Sequence, residues 1–186
     1  MLVRAYRSVK IITWHEGVHV EMKKMNLPFD IKYLEEKDTD IILALYKGNT
    51  TYFHYCQPQP SEETVKEDMI VCPGGVPASA KHYVGIFDAD ELVAVLDLIE
   101  GYPDIKTAWI GLFMLDRKWH GRGMGTRIFT ALYDCLKQNG FKSIQLGYIK
   151  GNPQAEAFWR KNGFSPTGRE TVREEYTIIV SEKIID

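Results

Sequence analysis

The hydrophobic pattern changes character along the chain. Up to residue 26 it has no clear period, although Val9 to Trp14 has strand character broken by Lys10. Phe29 to Leu34 then alternates apolar and polar positions, the period of a half-buried strand. Asp38 stands at a helix start, with Ile41, Ile42, Leu45 and Tyr46 as an inward stripe and Gly48-Asn49 as the stop. An aromatic stretch, Thr50 to Cys56, precedes a second helix. Ser61 opens it, Glu62 and Glu63 in its first turn suit the helix dipole, and it ends near Val71. Tyr83–Phe87 and Leu92–Ile99 flank Asp88-Ala89-Asp90-Glu91 as a hairpin. Thr107–Leu115 is the next strand. A helix from Gly125 buries Ile128, Phe129, Leu132, Tyr133 and Leu136 at 3.6-residue spacing and stops at Asn139-Gly140. Ser143–Ile149 is a strand, and Pro153 to Asn162 a helix with its proline in the first turn. Glu170–Val172 and Tyr176–Val180 close the pattern as an antiparallel pair. Hairpins in the middle and helices after strands late in the chain predict a mixed α/β (α+β) sheet.

The candidate chemistry lies where the strand ending at Leu115 meets the helix. His120-Gly121-Arg122-Gly123-Met124-Gly125-Thr126 is a glycine-rich turn opening a helix. Glycines let backbone N–H groups close on an anion, and a helix N-terminus adds unpaired donors and partial positive charge. Arg122 and Arg127 add full charges. The arrangement suits a pyrophosphate. A Walker-type loop requires Lys and Ser/Thr after its last glycine, and Thr126-Arg127 stand there instead. A dinucleotide fingerprint requires a small third residue where Ile128 stands. The bland alternative is a loop and nothing more.

His120-Gly121-Arg122-Gly123-Met124-Gly125 resembles the acyl-CoA loop of the GNAT acetyltransferases, Gln/Arg-x-x-Gly-x-Gly/Ala, except that His120 takes the first place. A second stretch, Asn152 to Phe164, resembles the later motif of that family: an asparagine, an alanine three on, an aromatic seven on, then Gly163-Phe164. The resemblance covers about residues 107–165. It implies one mostly antiparallel, twisted sheet flanked by helices, with a splayed pair formed by the strands ending at Leu115 and Ile149. It further implies acetyl-CoA as co-substrate. Loop backbone at Arg122, Gly123, Gly125 and Thr126 would hold the pyrophosphate. The strand edge Phe113-Met114-Leu115 would pair with the pantetheine arm and offer an oxyanion donor. His120, Gly121, Met124, Asn152, Phe158 and Trp159 complete the expected cofactor contacts. Asn152 also reads as a helix N-cap, since Pro153 follows it.

Composition sets limits. The chain has 186 residues, 45% hydrophobic, enough for one full core. Residues 27–186 read as a single domain, with 1–26 as an extension of open role; Met22 or Met25 are alternative starts. Net charge is −2 without a long basic run, which argues against nucleic acid. The apolar runs are too short to span a bilayer, and no secretory signal is read. Cys56, Cys72 and Cys135 are scattered and odd in number, which points to a cytoplasmic protein without a disulfide framework. Neither CxxC nor HxxxH spacing is read, and no metal is expected.

Acetyl transfer from a thioester needs a neutral amine, a donor for the oxyanion and an exit for the thiolate. The family often places a tyrosine where this chain has Trp159, and indole cannot donate a proton at neutral pH. Tyr148 is a substitute acid or an aromatic packed beside Gly147. His120 is a further candidate, or it orients the loop. Asp97 interrupts an apolar strand, where a carboxylate is disfavoured unless paired or functional. It reads as a base or acceptor-binding group, or as a strand aspartate bonded to nearby backbone. Glu100 is the runner-up, on the opposite face of a regular strand. Tyr52, His54 and Tyr55 read as a wall of the acceptor pocket or as aromatic packing. The expectation is an N-acetyltransferase acting on a small-molecule primary amine by direct attack in a ternary complex. The oligomeric state is open, with a homodimer as one option. The rivals are a non-catalytic acyl-CoA-binding sensor or interaction module, and an enzyme for a longer acyl chain.

Overall fold

The computed structural model describes residues 19–186, so the strand character of Val9 to Trp14 lies outside the described residues. Seven strands form one sheet in the order β1-β2-β3-β4-β5-β7-β6. They are β1 (Asp30–Tyr33), β2 (Lys81–Asp88), β3 (Glu91–Glu100), β4 (Thr107–Leu115), β5 (Ser143–Ile149), β6 (Ser165–Val172) and β7 (Thr177–Ile184). All neighbours pair antiparallel except β4 and β5, which are parallel. Among the described residues five α-helices flank the sheet: α1 (Thr39–Gly48), α2 (Thr50–Tyr55), α3 (Glu62–Ile70), α4 (Met124–Gln138) and α5 (Pro153–Lys161).

Each face of the sheet carries its own core. Val84, Leu96, Leu98, Ile110, Phe113 and Leu146 face α4 and α5. Val95, Ile99, Leu112, Met114, Ile149 and Val180 face α1, α2 and α3. Sheets covered on both sides read as continuous apolar runs, and β3 is buried from Leu92 to Glu100 for that reason. Each fully buried Leu, Ile or Phe contributes about 1.5–3 kcal/mol. Val20, Met22 and Met25 are also buried, in the α4-side core.

Local expectations hold with three corrections. Ser61 accepts a hydrogen bond from the Thr64 N–H and caps α3 as expected. Asp38 precedes α1 but does not cap it; its carboxylate turns back to accept from the Glu35 N–H at 2.8 Å, closing a 3-10 turn. Ile41, expected inward, is exposed, because the stripe through Ile42, Leu45 and Tyr46 already fills the contact face. The closing pair is longer than Glu170–Val172 and Tyr176–Val180: β6 starts at Ser165 and β7 runs to Ile184. Most of β6 is solvent-exposed, which erases the hydrophobic alternation that reveals a strand.

Two irregularities in β4 position the site. Asp97 stands across from Leu112 and Leu98 from Ile110, so Gly111 is an extra residue, a bulge. On the other side, β4 and β5 pair only from Thr107/Ser143 to Ile110/Leu146. Beyond that point the strands part, which is the expected splay.

Candidate active site

The glycine turn enters α4 through left-handed backbone. Gly121 has φ +73° and Gly123 +75°, a region that glycine enters without strain. An added Cβ at either would meet nothing within 4 Å, so conformation, not crowding, demands glycine there. Gly123 is the N-cap and no side chain caps α4. The N–H groups of Met124, Gly125 and Thr126 therefore lack intrahelical acceptors and face the same direction as the helix dipole. Gly125 serves another purpose: a Cβ there would stand 3.0 Å from the Phe158 ring.

This helix end opens a cavity of about 270 Å³ between the splayed β4, the turn and α5. Of the residues expected at the cofactor, Phe113, Leu115, His120, Gly121, Gly123, Met124, Gly125, Thr126 and Phe158 line it. Met114 does not; alternation sends it into the core of the opposite face. Arg122 is exposed on the turn, outside that lining. Asn49, Trp119, Gln154, Ala155 and Lys161 also line the cavity and were not anticipated. Gln154 and Lys161 flank Phe158 at helical spacing, a signal that was available. Asn49 had none: it comes from the junction of α1 and α2.

The Leu115 carbonyl, last of β4, is held from two sides. Asn49 Nδ2 donates to it at 3.1 Å, and also to the Leu45 carbonyl at 2.9 Å. His120 Nε2 lies 3.0 Å from the same oxygen, so that nitrogen carries the proton. His120 thereby orients the turn against the strand.

Three other candidates sit in packing positions. Asn152 Oδ1 accepts from the Ala155 N–H at 3.0 Å as the N-cap of α5 and is buried. Trp159 is only 1% exposed, packed among Phe113, Phe129, Phe158 and Phe164. Tyr148 belongs to the α4-side core. Burial and the nearby Glu156 raise its phenol above the ordinary value, against a hydrogen bond with Ser181 of β7 and the Arg160 charge. Its hydroxyl thus has neighbours on β7 and α5.

The other face of β4 carries a second, narrow cavity of about 10 Å³ that ends on Gly111 and Leu112. Asp97 lies in its wall with Tyr46, Tyr52 and Asp68. The Asp97 carboxylate accepts from Lys81 Nζ at 2.7 Å, with both side chains almost fully buried. Tyr83 is its cross-strand neighbour. Above them the Tyr46 and Tyr83 hydroxyls meet at 2.8 Å, and Tyr46 Oη donates to Asp68 Oδ2 at 3.1 Å. Tyr52 and Phe53 point inward from α2, whereas His54 is exposed and Tyr55 half-buried. The aromatic stretch is helical, so neighbouring residues diverge in direction and only Tyr52 of the expected three reaches this cavity.

Glu100 is not brought to the splay. It stands across from Ala108, where β4 still pairs with β5. There it accepts from His82 Nε2 at 2.6 Å and from the Val20 N–H at 2.5 Å, with His19 Nδ1 at 3.3 Å. Tyr33 Oη lies 2.6 Å from His82 Nδ1. The expectation of no metal also passed over His15 and His19, which flank Glu16 in the H-E-x-x-H spacing that binds zinc on a helix. Residues 15–18 lie outside the described residues. Among the described residues no cluster of three or more His, Cys, Asp or Glu is placed to hold a metal.

Comparison with known proteins agrees with this geometry. The model of the acetyltransferase (GNAT) family matches residues 42–164. An acetyltransferase from Thermus thermophilus superposes with a TM-score of 0.67 at 23% identity, over 85% of this chain and 97% of its own. An acetyltransferase from Salmonella typhimurium that modifies the N-terminal serine of 50S ribosomal subunit protein L7/L12 gives 0.67 at 19% identity, over 88% and 99%. The PaiA N-acetyltransferase of Thermoplasma acidophilum, in complex with coenzyme A, gives 0.61 at 15%, over 85% and 99%. No curated protein matches in sequence. At these identities the solved structures speak for the fold, and the sequence match speaks for the family.

Proposed function

The chain belongs to the acetyltransferase (GNAT) family, an N-acetyltransferase by that membership, and we propose that it transfers acetyl from acetyl-CoA to a primary amine of a small molecule. The observation that carries this reading is the approach of two cavities to one strand from opposite faces. One begins at an uncapped helix N-terminus suited to a pyrophosphate. The other ends at the Gly111 bulge, beside buried carboxylate and phenol groups.

In this reading the pyrophosphate sits on the N–H groups from Gly123 to Thr126. The pantetheine arm runs past Phe113 and Phe158 and pairs with the edge of β4 that β5 has left. A β4 N–H in the parted region stabilises the tetrahedral oxyanion. The amine enters from the α1–α3 face and attacks directly. The C–N bond forms, the C–S bond breaks, and the thiolate takes the second proton of the nitrogen. Trp159, sealed in the core, has no part in that transfer. Asp97 and Lys81 supply the charged floor of the acceptor side. Residues 27–186 are the catalytic unit, and residues 1–26 an extension tied on through Val20, Met22 and Met25. Among the described residues no helix is long and apolar enough to cross a membrane. The proposed setting is the cytoplasm, given three free cysteines.

Calorimetric titration with acetyl-CoA, on the wild type and on Gly123→Val, tests the reading. Valine at φ +75° opposes the turn that aims the donors, so binding is expected to fall at least about 100-fold in a variant that keeps its fold. If acetyl-CoA does not bind the wild type, the reading is wrong.

A further inference from the structure

The reaction proposed above leaves one proton without a destination. An alkyl ammonium has a pKa near 10.4, so it must lose a proton before it attacks. Asp97, the carboxylate nearest the bulge in sequence register, already binds the buried Lys81 ammonium at 2.7 Å. A proton placed on Asp97 would dismantle that ion pair in a site sealed from water, which is costly.

The same cavity offers a second route. Tyr46 and Asp68 line it together with Gly111, and Tyr46 Oη donates to Asp68 Oδ2 at 3.1 Å. Tyr46 is 1% exposed, whereas Asp68 is half-buried on α3. The phenol thus joins the sealed interior to a carboxylate that can exchange with solvent. We propose that Asp68, acting through the Tyr46 hydroxyl, is the proton acceptor for the amine substrate. This rests on the acetyltransferase reading above.

The step balances without a co-reactant. The ammonium gives a proton to Tyr46 Oη as the proton of Tyr46 moves to Asp68 Oδ2. The products are a neutral amine, an unchanged phenol and a protonated Asp68, which later releases its proton to water. The phenol stays neutral at rest, since burial, then Tyr83 and Asp68, hold it well above its ordinary range. A neutral phenol relays protons without storing charge. The charged and titratable groups around the pair are Tyr52 from α2, Cys56 at its end, Tyr83 and Lys81 from β2, and Asp97 from β3.

The test compares Asp68→Asn with wild type in acetyl-CoA affinity, turnover against an amine panel, and the pH profile of turnover. Asparagine still accepts the Tyr46 hydrogen bond, so the fold and the CoA affinity should stay unchanged. Turnover at pH 7 should fall about 10- to 100-fold, in the range of lost general base catalysis. The acid limb of the profile should move up toward the pKa of the free amine. Tyr46→Phe should reproduce the effect, and Asp68→Glu should restore part of it. A wild-type pH profile in Asp68→Asn would overturn the inference, as would a loss explained by melting temperature alone. Wild-type protein that binds no acetyl-CoA would instead overturn the acetyltransferase reading, which separates the two failures.

Discussion

The two faces of β4 are built by different means. On the α4 side the site is made of backbone: a left-handed glycine turn, a helix end without a cap, and a strand edge freed by the splay. Its cavity is open, about 270 Å³. On the α1–α3 side the site is made of side chains that meet across long stretches of sequence. Tyr46, Asp68 and Asp97 come from three elements and wall a cavity of about 10 Å³, and Tyr83 of a fourth meets the Tyr46 hydroxyl. A backbone site binds what every member of a family shares. A side-chain site can differ from one member to the next, and the proposed reading assigns acceptor choice to it.

That contrast can be broken most forcefully at Asp97. Asp97→Asn leaves the Lys81 ammonium buried without its carboxylate, so stability should fall by about 3–5 kcal/mol. Turnover should fall much more than CoA affinity, because the change lies on the face proposed for the acceptor. Chemical denaturation and calorimetry read the two quantities, and unchanged turnover at pH 7 would remove Asp97 from the reaction. Glu100→Gln is the matched control. It weakens the bonds from His82 and Val20 and should cost about 1–3 kcal/mol, with kcat unaffected, since Glu100 lies where the strands still pair. A drop in kcat larger than any drop in folded fraction would return Glu100 to the site.

Trp159→Tyr restores the aromatic that this position often holds in the family. Here the ring is walled in by Phe113, Phe129, Phe158 and Phe164, so the smaller phenol should gain no activity and lose about 1–3 kcal/mol. A rise in turnover would show that the hydroxyl reaches the leaving thiolate. Asn152→Ala removes an N-cap, a loss of about 1 kcal/mol, and CoA affinity should hold within a few-fold. A larger loss of affinity would make Asn152 a cofactor ligand as well.

The smallest effect appears only in alkali. Burial pushes the Tyr102 phenol from 10.0 to about 12. A raised folded pKa means that the folded state keeps the proton longer. That contribution is therefore complete below pH 10.0 and is lost as pH rises through about 12. In Tyr102→Phe, stability should change less between those pH values than in wild type.

By itself the sequence determined the glycine-turn side of this protein. Glycines at 121, 123 and 125, the helix start read at Gly125 and observed at Met124, and the asparagine-proline opening of α5 are local signals. Each depends on residues within a few positions, where backbone sterics and helix capping act. The strand–turn–helix order follows from the same signals, whereas the splay came only from the family resemblance. Only the tertiary structure decided the α1–α3 side. Asp97 looked anomalous because its partner, Lys81, lies on the neighbouring strand. Asn49 reached the end of β4 from 66 residues away, and Asp68 met Tyr46 only once α3 packed on α1. Strand alternation placed Asp97 and Glu100 on opposite faces, but the register of β3 on β4 decided which lay beside the bulge. The physical reason is range. Propensity and capping act over one or two turns of chain, whereas ion pairing and hydrogen bonding in a buried site depend on which elements the cores bring together.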